Sequence, residues 1–232
     1  MAIKLTTTKV AAKTHGLKML IHGPSGAGKT TLAKTTGEPT IIISAEAGLL
    51  SLRDADIPVI TVENIGDVAE AYRFIQTPQC EEFKWIILDS VSEIAEVVLS
   101  AEKEANKDAR KAYGELSDSM MNLMRSFRDL EGKNVVFIAK QSQVVDDEGI
   151  TKRGPMMPGS KLAQQIPYLF DLVMALRLSK EQDGTTKRAL QTAPDIHYEA
   201  KDRSGALDQF MPPDLSAVAN AILGNLSTKP TE

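Results

Sequence analysis

Cysteine is almost absent from this sequence. Cys80 stands alone among 232 residues, so no internal disulfide can form, and no group of Cys and His has the spacing of metal ligands. Aromatic residues are scarce too, at 5%, which argues against bases stacked on aromatic platforms as a principal mode of binding. Neither sign of charge dominates: 27 Lys and Arg face 31 Asp and Glu, for a net charge of −4. That balance excludes a uniformly basic nucleic-acid coat and confines any phosphate-contacting surface to a local patch. No apolar run approaches the ~20 residues of a membrane span, and Met1-Ala2-Ile3-Lys4-Leu5 lacks the h-region of a signal peptide. These absences predict an intracellular, cytoplasmic protein with no membrane partner, and a reduced, half-buried Cys80 near a helix end. Internal repeats and low-complexity blocks are missing as well. The length suits one main domain, expected over residues 1–224, with a Ser-, Thr- and Pro-rich tail over 225–232 read as disordered.

What is present is a glycine-rich octapeptide. Gly23-Pro24-Ser25-Gly26-Ala27-Gly28-Lys29-Thr30 fits G-x-x-x-x-G-K-[ST] at every fixed position. It lies between the strand-like run Leu17 to His22 and the helix-like run Thr31 to Lys34, the context that a phosphate-binding loop requires. The glycines let successive N–H groups turn inward, and a following helix would add its positive N-terminal dipole. Lys29 is expected to reach the β and γ phosphates of a nucleotide and the Thr30 hydroxyl to hold Mg²⁺, with Thr31 completing the loop's end. A plain glycine turn ahead of a helix would not explain Lys-Thr directly after the last glycine.

Short β-branched runs alternate with helical stretches: Thr40 to Ile43, Val59 to Val62, Trp85 to Leu88 and Val135 to Ile138. Runs apolar at nearly every position, separated by helices, predict parallel strands buried on both faces, so the class is α/β with a mainly parallel central sheet flanked by helices. Helices are expected over 66–76, 90–105 and 117–130, where Met120, Met121, Leu123, Met124 and Phe127 form a core-facing stripe. Two short strands around the polar turn Asp146 to Gly149 make a hairpin, followed by Gly154 to Gly159, too rich in Gly and Pro for regular structure. A helix into Leu169 follows. Strands Leu172 to Leu178 and Lys187 to Thr192 bracket Gln182-Asp183-Gly184 as a C-terminal antiparallel hairpin, and a helix over 214–223 closes the domain.

A phosphate loop needs a second acidic group to orient Mg²⁺ through water. Asp89 ends the run Trp85-Ile86-Ile87-Leu88, at the carboxyl end of a buried strand, where ligands of open α/β sheets bind. It can also cap the helix that begins at Ser90. Two carboxylates compete for the role of positioning or deprotonating water. Glu46 follows a strand end directly, whereas Glu93 lies one turn inside a helix, so Glu46 is favoured.

This order of elements resembles the RecA-type ATPase core: a phosphate loop, a strand ending in Ala45-Glu46-Ala47, a strand ending in Asp89-Ser90 and a strand running into Lys140-Gln141. The resemblance, spanning roughly residues 16–205, implies a RecA-like P-loop NTPase that takes ATP and Mg²⁺, with Glu46 as catalytic base, Asp89-Ser90 as the Mg²⁺ site and Gln141 as a sensor of the γ-phosphate. It implies a DNA-binding loop over 142–160 with the cations Lys152, Arg153 and Lys161. It also implies that Lys201 and Arg203, spaced by one, reach the γ-phosphate bound by a neighbouring subunit. A solvated basic hairpin and a surface charge cluster are the plain alternatives for these two cationic groups. The resemblance is to the core alone, and implies a protein without the N-terminal helical domain and C-terminal DNA-binding domain of full recombinases. In this it is similar to the minimal RecA-core proteins encoded by phages, among them ATP-dependent single-strand annealing proteins.

The expectation is therefore an ATPase that binds single-stranded DNA and promotes annealing or homologous recombination as a homo-oligomer, filament or ring, in company with a single-strand-binding protein. A ring-helicase motor and a nucleotide-dependent switch without DNA contact use the same fold. A small-molecule kinase fits less well, because no Arg-rich lid segment follows the loop.

Overall fold

A computed structural model describes residues 5–46, 48–181 and 183–227. In chain order its elements are α1 (Thr8–His15), β1 (Lys18–Gly23), β2 (Thr40–Ser44), β3 (Val59–Thr61), α2 (Ile65–Ile75), β4 (Trp85–Asp89), α3 (Val91–Ala105) and α4 (Ala109–Arg128). There follow β5 (Asn134–Val145), β6 (Thr151–Pro155), α5 (Ser160–Gln165), β7 (Leu172–Lys180), β8 (Thr186–Gln191), β9 (Lys201–Asp202), β10 (Phe210–Met211) and α6 (Leu215–Ser227). The sheet runs β10-β8-β7-β1-β5-β4-β2-β3, with β6 on β5 and β9 on β7. Its centre is parallel, and β6, β8, β9 and β10 pair antiparallel.

Alternation along each central strand divides the core into two layers. Leu20, Ile41, Ile43, Ile86, Leu88, Val135 and Phe137 face the side covered by α2, α3 and α4. Met19, Ile21, Ile42, Trp85, Ile87, Val136 and Ile138 face the side that holds the phosphate loop's Ala27 and Leu32 together with α6. Both faces being covered explains why the strands read as nearly continuous apolar runs. Met120, Met124 and Phe127 are buried in the first layer, with Met121 and Leu123 partly so.

Several local expectations are corrected. β3 is an edge strand, with Val59 37% exposed, so its apolar run is not buried on both faces. The helix expected from Ser117 begins at Ala109, because Asp108 caps it by accepting from the Arg110 N–H at 2.9 Å. β6 extends through Gly154 and Pro155, since Gln141 of the long strand β5 pairs with Pro155. Cys80 is fully buried in a 3₁₀ turn rather than half-buried. α1 was not expected. The first three residues of the expected tail, 225–227, continue α6, and 228–232 lie outside the described residues.

Candidate nucleotide-binding site

The parallel registers bring the chemistry to one edge. Gly23 at the end of β1 pairs with Lys140, His22 with Ala139, Ser44 with Asp89, and Asp89 with Ile138. The loop after β1, the segment after β2, the end of β4 and the middle of β5 therefore meet at the carboxyl end of the sheet, the position at which open α/β sheets place ligands.

The loop itself is tight against its neighbours. A Cβ on Gly23 would stand 2.9 Å from the Leu176 carbonyl oxygen of β7, so only glycine fits there. Gly28 adopts φ 97°, a left-handed conformation that side chains disfavour. Ala27 is buried in the core layer beneath the loop, whereas Ser25, Gly26 and Thr31 are exposed and Pro24, Gly28, Lys29 and Thr30 are half-buried. The helix expected after the loop is a six-residue 3₁₀ segment, Thr30–Thr35. Its macrodipole is correspondingly weaker than the one anticipated, leaving the loop's own N–H groups and Lys29 as the principal positive features.

Lys29 Nζ donates to the Gly23 and Pro24 carbonyls at 2.8 and 3.0 Å, lying across its own loop. Burial pushes its pKa down, opposed by the nearby Asp89 and Glu46 carboxylates. Thr30 Oγ1 donates to Asp89 Oδ2 at 2.5 Å. Asp89 is buried, and desolvation holds its carboxyl above the usual range while the Thr30 hydrogen bond pulls the other way. Ser90 plays two parts: its hydroxyl oxygen accepts from the Glu93 N–H at 3.2 Å, capping α3, and its O–H donates to Glu46 Oε1 at 2.6 Å. The Ala45 N–H donates to the Asp89 carbonyl at 2.9 Å, and Ser44 Oγ donates to the Glu46 carbonyl at 2.6 Å. Glu46 is thus held beside Asp89, half-buried. Glu93 instead forms an ion pair with Lys140.

Gln141 sits where β5 leaves the sheet, and its Oε1 is buried without a hydrogen-bond partner. His22, fully buried at the end of β1, places Nε2 2.8 Å from the Glu199 carbonyl oxygen while its Nδ1 is unpartnered. Burial is the main reason its pKa is pushed down to about 4, so the imidazole is neutral. Neither His22 nor Ser90 as the partner of Glu46 was singled out from the sequence. A histidine within an apolar strand and a serine beside an aspartate carry no distinctive spacing.

The remaining expected residues lie elsewhere. Lys152 pairs with Asp146 at 3.0 Å across the hairpin turn. Arg153 is half-buried, its guanidinium 5.2 Å from the Tyr198 ring centroid, and its backbone bonds His197 and Glu199. Both thus have a partner within the chain, whereas Lys161, on α5, is exposed and makes no ion pair among the described residues. β9 runs back from the loop edge, with Lys201 opposite Val173 and Asp202 opposite Leu172. Lys201 Nζ donates to the Pro167 carbonyl at 2.5 Å, and Arg203 bonds Asp171 and the Tyr168 carbonyl. Both cations are anchored away from the loop of their own chain.

A glycine-rich phosphate loop, a threonine on a strand-end aspartate and a mainly parallel sheet define the class: a P-loop NTPase. A family model described as an AAA domain matches residues 15–204, and the chain belongs to that family. Among solved structures it is similar to the flagellar accessory protein FlaH from Methanocaldococcus jannaschii, at 13% identity and a TM-score of 0.42, over 82% of this chain and 85% of that one. No curated protein sequence matches it.

Proposed function

We propose that this protein is an ATPase of RecA-core type that binds single-stranded DNA and promotes strand annealing or recombination as a homo-oligomer. The observation that carries the catalytic half is the convergence of Lys29, the Thr30–Asp89 contact at 2.5 Å and the Ser90–Glu46 contact at 2.6 Å on one sheet edge. The Thr30 hydroxyl and the Asp89 carboxylate are adjoining oxygen donors, a set suited to a hard divalent cation. They would hold Mg²⁺, Asp89 through water, and the ion would neutralise phosphate charge. Lys29 exchanges its two loop carbonyls for β and γ phosphate oxygens. Glu46, kept in place by Ser90, orients and accepts a proton from the attacking water, while Glu93 is neutralised by Lys140 and left out of the reaction. Gln141 follows Lys140, which pairs with Gly23 at the start of the loop, and is the residue assigned to sensing the γ-phosphate.

The DNA-binding half rests on continuity of one strand. β5 carries Lys140 and Gln141 at the site and runs on into the hairpin without a break, so a change at the nucleotide reaches the hairpin through a rigid element. Lys161 and the outer edge of Arg153 supply the phosphate-contacting charge, with Lys152 drawn in when it leaves Asp146. Lys201 and Arg203 act on a neighbour's nucleotide. The pairing of Lys152 and the stacking of Arg153 favour one second reading, a nucleotide-dependent switch without DNA contact. Fluorescence anisotropy of labelled single-stranded DNA, with ATP, with ADP and without nucleotide, separates the two. Binding that depends on ATP supports the DNA reading, and no binding in any state supports the switch.

A further inference from the structure

β8 supplies none of the residues discussed so far, yet one of its side chains lies on the phosphate loop. Arg188 Nε donates to the Ala27 carbonyl at 3.0 Å. A Cβ built on Gly28 would meet that same nitrogen at 3.6 Å and Arg188 Cδ at 4.0 Å, so the guanidinium covers the Ala27-Gly28 step. The register explains the reach: Arg188 pairs with Leu178 of β7, three residues beyond Ala175, which pairs with His22 of β1. Strand alternation puts Arg188 on the side of Leu190, which packs in the same core layer as Ala27 and Leu32.

The rest of the guanidinium is uncommitted. Arg188 is exposed, and among the described residues no carboxylate lies within ion-pair distance of it and no second hydrogen bond engages it. Arginine carries five N–H donors in a rigid fork suited to phosphate oxygens, and the Ala27 bond uses one. Arg177, on the adjoining strand β7, has by contrast an acidic partner in Asp195. An unpaired cation tethered by one nitrogen to a phosphate loop is arranged to meet an anion there.

We propose that Arg188 is a second cationic ligand for the nucleotide's polyphosphate, supplied from β8 of the same chain. Nε keeps its bond to the Ala27 carbonyl and the two terminal nitrogens donate to phosphate oxygens. The inference rests on the reading of the loop as a nucleotide site. It differs from the role given to Lys201 and Arg203, because it needs no neighbouring subunit.

The test is calorimetric titration of wild type, Arg188→Lys and Arg188→Gln with ATP, ADP and inorganic triphosphate, each with Mg²⁺, at two salt concentrations. Glutamine can still donate to the Ala27 carbonyl but carries no charge, so it separates charge from the propping of the loop. Arg188→Gln should weaken all three ligands by about tenfold or more and flatten the salt dependence, with Arg188→Lys in between. Inorganic triphosphate should lose as much as ATP, because the contact is to phosphate. Binding of ATP by Arg188→Gln within twofold of wild type, with wild type binding normally, would overturn the role of Arg188 alone. So would an equal loss in the Lys and Gln variants with unchanged salt dependence, the signature of a loop prop. Wild type that binds none of the three ligands would instead remove the reading of the loop, and this proposal with it.

Discussion

Acidification should weaken this fold through His22, by an amount the structure sets. The ring is fully buried behind the phosphate loop, with Glu199's carbonyl on Nε2, the charge of Lys29 acting on it and Gln141 at its side. Burial lowers its pKa from the ordinary 6.5 to about 4. Above pH 6.5 the imidazole is neutral in both folded and unfolded chains, so it has no effect on pH dependence. Between pH 6.5 and 4 the unfolded chain takes up a proton that the folded one refuses, so stability falls as pH falls, and the loss is complete below about 4. The shift corresponds to about 3 kcal/mol in full and about 2 kcal/mol by about pH 5. Urea unfolding followed by the emission of Trp85, the single and fully buried tryptophan, reads this directly. His22→Gln can still donate to the Glu199 carbonyl but does not titrate, so between about pH 7 and 5 wild type should lose about 2 kcal/mol more than the variant. Parallel losses in the two proteins would refute the claim that burial keeps His22 neutral.

Glu46→Gln should retain ATP binding while turnover falls by about a hundredfold or more, measured by steady-state phosphate release; the same phenotype in Glu93→Gln instead would reassign the base. For DNA, replacing Lys152, Arg153 and Lys161 with alanine should weaken single-strand binding and reduce the slope of log K against log salt by about 0.7 per lost contact. Because Lys152 is paired with Asp146, its single substitution should have the smallest effect of the three; an unchanged slope in the triple variant would place the contact elsewhere, such as the charged stretch 103–111. Mixing Lys29→Ala subunits with Lys201→Ala/Arg203→Ala subunits should restore hydrolysis if the site is shared in trans, whereas mixtures that stay inactive despite verified co-assembly would contradict sharing.

The parts of the site that were legible in the sequence are those with local signatures. The octapeptide needs no tertiary context, and Asp89 is marked by the apolar run before it, because a strand buried on both faces must be apolar until it reaches its ligand-bearing end. Glu46 was legible for the same reason, one strand over. Arg188 was not: it meets the loop across 161 residues of chain, and nothing in Thr-Thr-Lys-Arg-Ala-Leu distinguishes it from a solvated strand end. Lys152 and Arg153 carry no sign in one dimension of the partners they have in three, Asp146 in the hairpin turn and Tyr198 from a segment 45 residues on. Edge position misled for β3, whose composition matches the central strands but which has a neighbour on one side only. The early start of α4 follows from its Asp108 cap, which apolar periodicity does not encode.

The central claim is that the loop after β1 is a nucleoside triphosphate site whose principal charge is Lys29. Calorimetric titration of MgATP into wild type and Lys29→Ala, both shown to be folded by their thermal transitions, tests it most directly. The account predicts saturable binding by wild type and abolition of tight binding in the variant, because the remaining loop N–H groups cannot replace a point charge on the β and γ oxygens. Equal ATP affinity in the two proteins, or no binding by wild type, would contradict it.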